Sequence, residues 1–146
     1  MKHWGYIDYE DYPERYESIL KEVQYDKTIV EFACGSGQII SKLKLHTTAH
    51  CIGVDIENHP FWRESKAEMV VADVMDFIKK PDKYDTVIML NSFRNWNHPD
   101  KTIFEDWVNT HAKKFITSTN LRYKKKIIGK DAHDLDMELY YLDYLI

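Results

Sequence analysis

The chain has 146 residues, 44% hydrophobic and 30% charged, with a formal net charge of −4. That is one domain's worth of chain, able to bury about two thirds of its unfolded surface. The mild acidity argues against a generally basic nucleic-acid or anionic-lipid binder, and no apolar stretch approaches the length of a membrane span.

In chain order, residues 1–10 are aromatic and acidic, without a clear period. Between Tyr12 and Val23 the apolar positions Tyr16, Ile19, Leu20 and Val23 recur at helical spacing, and Pro13 suits a first turn. Asp26 and Lys27 lead into a strand over Thr28 to Ala33, whose continuous apolar character predicts cover on both faces. A helix is expected over Gln38 to Leu45, a second strand over His50 to Ile56, and a short loop or helix over Pro60 to Lys66. Glu68 to Ala72 reads as a third strand, Met75 to Lys80 as a helical turn before Pro81, and Asp85 to Leu90 as a fourth strand. The stretch Asp100 to His111 sets Ile103, Phe104, Trp107 and Val108 on one helical face, and Lys114 to Thr119 reads as strand five. Lys124 to Ile128 and Met137 to Ile146 are expected to close the sheet as an antiparallel pair. The strict alternation of strand and helix before them predicts a parallel sheet with right-handed crossovers.

The most informative residues lie at the end of the first strand. Thr28 to Gly37 read T-I-V-E-F-A-C-G-S-G, and the second strand ends in Asp55. An apolar run, an acidic residue and a glycine-rich turn opening a helix outline a nucleotide-binding turn, and a second strand ending in a carboxylate suits a ribose. The third glycine of a dinucleotide fingerprint is missing, because that position is Ile40. No G-K-[ST] follows, which excludes a P-loop. Cys34 and Cys51 form no disulfide framework or metal motif, and the N-terminus M-K-H-W-G-Y lacks a signal-peptide core. Both cysteines are expected to be small core residues of a reduced, cytoplasmic protein.

At these residues the chain resembles the class I S-adenosylmethionine-dependent methyltransferases. Glu31, Ala33, Gly35 and Gly37 match the acidic-x-Gly-x-Gly-x-Gly motif, with Ala33 in place of the first glycine. Asp55 matches the second motif, Asp73 in V-V-A-D-V the third, and Asn91 in Y-D-T-V-I-M-L-N-S-F the fourth. The resemblance covers Glu31 to about Trp96 and implies a Rossmann-like three-layer α/β/α sandwich, mostly parallel, with residues 1–146 forming one S-adenosyl-L-methionine-binding domain. Residues 1–27 would then be a helical and aromatic lid, with Trp4, Tyr6, Tyr9 and Tyr12 over the methionine end. The implied cofactor-binding set is Glu31, Ala33, Cys34, Gly35, Ser36, Gly37, Asp55, Ile56, Asp73, Val74 and Asn91. Within it, Asp55 takes both ribose hydroxyls, Ile56 covers the adenine face, and Asp73 meets the adenine edge or caps the following helix. Glu31 is expected to orient the loop through backbone N–H groups.

Where amino-group methyltransferases of this fold carry [DN]-P-P-[YF], this chain has Asn91-Ser92-Phe93-Arg94, without the prolines. Asn91 and Phe93 retain part of that motif, while the missing prolines count against base-amine methylation. Phe93, Arg94, Trp96 and Tyr9 are candidate substrate contacts, and His98 and Asn91 candidate catalytic residues, His98 because its pKa suits a general base at neutral pH. The basic run Arg122-Tyr123-Lys124-Lys125-Lys126 reads as a solvated turn, or else as a phosphate-backbone contact. His111 and His133 carry no spacing that specifies a metal. The expected function is methyl transfer to a small molecule or an accessible protein or nucleic-acid group. The alternatives are a binding protein or partner subunit that transfers nothing, with Leu139 to Ile146 or the aromatic N-terminus as interface, and a cofactor-cleaving enzyme; a homo-oligomer is also open.

Overall fold

A computed structural model of the chain describes residues 13–90, 98–118, 125–130 and 136–141. Helix α1 (Pro13–Val23) precedes strand β1 (Thr28–Phe32), helix α2 (Gln38–His46) and strand β2 (His50–Asp55). A 3-10 helix (Pro60–Glu64) and strand β3 (Glu68–Val71) follow, then α3 (Val74–Phe77), β4 (Tyr84–Met89), α4 (His98–His111) and β5 (Ala112–Thr117). Strands β6 (Lys125–Lys130) and β7 (Asp136–Tyr141) complete one seven-stranded sheet in the order β3-β2-β1-β4-β5-β7-β6. The five strands from β3 to β5 are parallel, and β7 runs antiparallel between β5 and β6. The sheet is therefore mixed as the sequence implies, with the last strand inserted between its two neighbours.

Alternate residues of β1 face opposite layers, as a strand's two-residue period requires. Ile29 packs with Tyr16, Ile19 and Val23 of α1 and Ile39, Ile40 and Leu43 of α2. Val30 and Phe32 pack with Phe77 of α3 and Phe104, Trp107 and Val108 of α4. Helices thus cover both faces of the parallel strands, which is why those strands read as unbroken apolar runs. The Phe32 ring is the hub of the second layer, lying edge-on at 5.4 Å to Phe77, 5.6 Å to Phe104 and 5.7 Å to Trp107. Between the helices of the first layer, the Tyr16 hydroxyl meets His46 Nδ1 at 2.7 Å.

The amino ends of the central strands are held by charge. Asp85 Oδ2 accepts the backbone N–H groups of Lys27 at 2.6 Å and Thr28 at 3.3 Å, and Lys113 Nζ lies 3.5 Å from Oδ1. Lys114 Nζ donates to Asp26 Oδ1 at 2.9 Å and to the Glu22 carbonyl at 2.7 Å, joining α1 to β5. Burial pushes the Asp85 carboxyl up, but the two N–H bonds and Lys113 outweigh it and hold the group below its usual range. A depressed folded pKa contributes stability above the unfolded value and loses it as pH falls through the folded one. Asp85→Asn is therefore expected to cost about 1–2 kcal/mol at about pH 7, with the penalty fading as pH falls below the normal carboxylate range. Urea denaturation across that range checks this, and a pH-independent penalty would contradict it.

Several sequence expectations shift at element ends. Strand β1 stops at Phe32 because Ala33 turns into the left-handed region, with φ 51. Strand β5 starts at Ala112 directly after α4, two residues earlier than the sequence suggests. Lys125 and Lys126 belong to β6, which corrects the view of the whole basic run as a turn. Leu139 is fully buried beside Ile116, so the start of the Tyr-rich C-terminus is core and not an exposed interface. Cys51 is buried as expected, while Cys34 is only partly so, and both thiols are free.

Candidate functional site

The parallel strands end along one rim, and the chain reverses strand order between β1 and β4, where such sheets open a crevice. The glycine-rich turn leaves β1 there. Gly35 (φ 59) and Gly37 (φ 80) both adopt left-handed backbone, which a side chain resists. At Gly37 a Cβ would also come within 2.7 Å of Met69 Cε and 3.6 Å of Trp62 Nε1. Gly37 then starts α2, its carbonyl accepting the Ser41 N–H at 2.9 Å, and no side chain caps that helix. Ala33 holds a left-handed φ without being glycine, a conformation costing roughly 1–2 kcal/mol. That cost gives a physical reason for the glycine usual at this motif position.

Asp55 closes the turn from the side. Its Oδ2 accepts the Gly35 N–H at 2.8 Å, and its Oδ1 accepts the Glu57 N–H at 3.0 Å and lies 3.6 Å from His59 Nε2. A carboxylate has about four lone-pair sites, so these two bonds leave acceptor capacity. The Asp55 side chain is 14% exposed, against 2% for His59 behind it. Ile56 next to it is 67% exposed, available as a cover and not part of the core. Asp73 caps α3, accepting the Met75 N–H at 2.8 Å, and stands exposed at the end of β3 with Val74 beside it.

The Gly35 N–H goes to Asp55, while Glu31 is buried on the α1 and α2 side of the sheet and its backbone N–H partner is Ile40, in the helix that the turn opens. Its Oε1 has no hydrogen-bond partner among the described residues. Burial is the main influence and pushes its pKa up to about 8, against the lowering effect of Arg15 and the Ile40 N–H. Burial beneath the turn therefore favours the protonated form of Glu31, while Arg15 favours the charged one. The same burial, reinforced by Glu31 and Asp55, pushes the Cys34 thiol far up, which makes it a poor nucleophile. Ser36 is buried within the turn.

Sequence reasoning missed two residues of the rim, His59 and Trp62. Trp62 Nε1 donates to the Gly35 carbonyl at 2.9 Å, and its ring lies 5.6 Å from that of His59. The available signal was Pro60, which suits a first helical turn; of the two aromatics after it, Phe61 is exposed and Trp62 is buried. Asn91, Phe93, Arg94, Trp96, the lid residues Trp4, Tyr6, Tyr9 and Tyr12, and Arg122, Tyr123, Lys124 and His133 lie outside the described residues. His98 is the first residue of α4. His111 stacks on Trp107 at 5.1 Å, and its Nδ1 lies 2.9 Å from the Trp107 carbonyl. Among the described residues no cluster of His, Cys, Asp or Glu suits a metal, and no helix is long and apolar enough to cross a membrane.

Sheet order, glycine turn and strand-end carboxylate together define the class: a Rossmann-like α/β domain. The methyltransferase domain family matches residues 30–106, and the chain belongs to that family, among the class I S-adenosylmethionine-dependent methyltransferases. No curated protein matches the sequence. Monomeric WbdD shares the fold with a TM-score of 0.68 at 14% identity, over 94% of this chain and 41% of that one. The chain thus spans about two fifths of the length of WbdD, a bifunctional kinase-methyltransferase. Magnesium protoporphyrin IX methyltransferase (ChlM) from Synechocystis PCC 6803, solved with bound SAM, is 11% identical, with TM-score 0.67 over 98% of this chain and 86% of that one. N-methyltransferase NodS from Bradyrhizobium japonicum WM9, solved with S-adenosyl-L-homocysteine, is 11% identical, with TM-score 0.59 over 90% and 84%.

Proposed function

We propose that this chain binds S-adenosyl-L-methionine over the carboxyl ends of β1 and β2 and transfers its methyl group to an acceptor. The observation that carries the reading is the Asp55 carboxylate bonded at 2.8 Å to a left-handed glycine turn that opens an uncapped helix. The donors and acceptors present fit the cofactor. Asp55 keeps lone pairs for ribose hydroxyls, exposed Ile56 offers an apolar face for adenine, and Asp73 offers a carboxylate for an exocyclic amine. Residues 1–146 act as a single cofactor-binding domain, with the aromatic segment ahead of α1 as its lid and Asn91 closing the cofactor set; α1 itself, the helical part of the expected 1–27 lid, is core.

When bound, the cofactor supplies an electrophilic methyl group on a sulfonium. The chain's own contribution is position: a nucleophile held about 3 Å from that carbon, with water excluded, provides most of the acceleration. Phe93, Arg94, Trp96 and Tyr9 are assigned to acceptor contact, Arg94 through its planar fork to an anionic group. His98 is assigned to taking the proton of a hydroxyl or amine acceptor, and Asn91 is the second candidate catalytic residue. The acceptor is a small molecule or an accessible protein or nucleic-acid group, and the free thiols fit a reducing, cytoplasmic setting.

Incubating the protein with methyl-labelled S-adenosylmethionine and pools of candidate acceptors tests this. S-adenosylhomocysteine formed only when an acceptor is present is the expected result. Binding without turnover would favour a partner-subunit role, and methylthioadenosine formed without acceptor would favour cofactor cleavage; either displaces the transferase reading.

A further inference from the structure

The connection from β2 to β3 touches the glycine turn at more points than a plain linker needs. Gly35 has one backbone donor and one acceptor, and both are held from this segment: its N–H by Asp55 at 2.8 Å and its carbonyl by the Trp62 indole at 2.9 Å. Ser65, just past the 3-10 helix, meets Ser41 of α2 through hydroxyls 2.6 Å apart. The His59 ring is buried against Trp62 on one side and lies 3.6 Å from Asp55 Oδ1 on the other. The β2–β3 segment and the first turns of α2 therefore form one connected body.

We infer that the 3-10 helix Pro60–Glu64 is a positioning element for the cofactor turn, with Trp62 as its positioning residue. The inference rests on the reading that this turn holds S-adenosylmethionine. Glycine backbone is the most permissive in the chain, so an unsupported Gly35-Ser36 peptide would sample several orientations and lose more entropy on binding. The peptide is planar and trans, so holding the Gly35 carbonyl on the indole points the Ser36 N–H the opposite way. Trp62 thereby sets the direction of a turn donor without contacting the ligand itself. Its ring is buried, so the bond forms away from competing water.

Trp62→Phe keeps an aromatic ring in the site and removes only the N–H donor and some ring area. In the intact 146-residue chain, calorimetric titration with S-adenosylhomocysteine is expected to show affinity lower by about three- to tenfold, the worth of one neutral hydrogen bond. In the wild-type protein, solvent exchange of the Trp62 indole N–H is expected to slow and its resonance to shift when the site is saturated, because the Gly35 carbonyl it donates to belongs to the turn. Unchanged affinity in a folded variant overturns the inference and leaves the cofactor reading intact. If the variant does not fold, the wild-type resonance decides: movement supports the inference and a fixed position overturns it. A wild-type protein that binds neither S-adenosylhomocysteine nor S-adenosylmethionine overturns both.

Discussion

Asp55→Ala is expected to weaken binding of S-adenosylhomocysteine at least about a hundredfold. The carboxylate serves two purposes. One oxygen anchors the Gly35 N–H and the other anchors the Glu57 N–H, while the remaining lone pairs are proposed to take the ribose hydroxyls. Hydrogen bonds to a charged partner contribute about 1.5–3 kcal/mol each, and the alanine variant loses both the ribose contact and the loop anchor. About 2.7 kcal/mol is a hundredfold in affinity, so losing two such bonds exceeds that threshold. Asp55→Asn should fall between, since it keeps the shape but turns an amino group toward donors. Calorimetric titration measures the loss, with thermal melting of the free variant to separate a misplaced loop from an unfolded chain. A folded Asp55→Ala protein that still binds within about threefold of wild type would remove Asp55 from the site.

The largest effect on stability is expected at Phe32. Its side chain is 1% exposed and edge-on to three other rings, from α3 and from two turns of α4. Truncating a buried phenylalanine to alanine costs about 3–5 kcal/mol through lost transfer energy and the cavity left behind. A domain of this size has about 5–15 kcal/mol in total, so Phe32→Ala should populate unfolded chain under mild conditions. Phe32 also precedes Ala33, so a collapse of this layer moves the turn that begins there. Urea denaturation should show a large drop in midpoint at similar slope. A loss below about 1.5 kcal/mol would mean that the aromatic layer repacks and is not a fixed support.

What the sequence discloses about this domain follows from physical period. Strands β1, β2 and β4 are covered on both faces, so their apolar runs were legible in composition alone. The glycine turn and Asp55 were legible because their chemistry is local: two glycines, a strand end and a carboxylate. The insertion of β7 between β5 and β6 was not, because strand order depends on contacts far apart in the chain. Trp62 was missed for the same reason, since it reaches back to Gly35 across the whole of α2 and β2. Glu31 shows a subtler limit. Its motif position is recognisable, but its burial, which raises its pKa, depends on packing by α1 and α2. The buried Leu139 shows how β-forming residues near a terminus suit core and interface equally until the neighbouring strand is known.

The most direct test of the whole account is a crystal structure of this chain grown with S-adenosylhomocysteine. The nucleoside is expected over the carboxyl ends of β1 and β2, with ribose oxygens within hydrogen-bond distance of Asp55 and the Gly35–Gly37 backbone against the ligand. A ligand bound elsewhere, or a crevice closed by the protein's own side chains with no nucleoside in it, would contradict it.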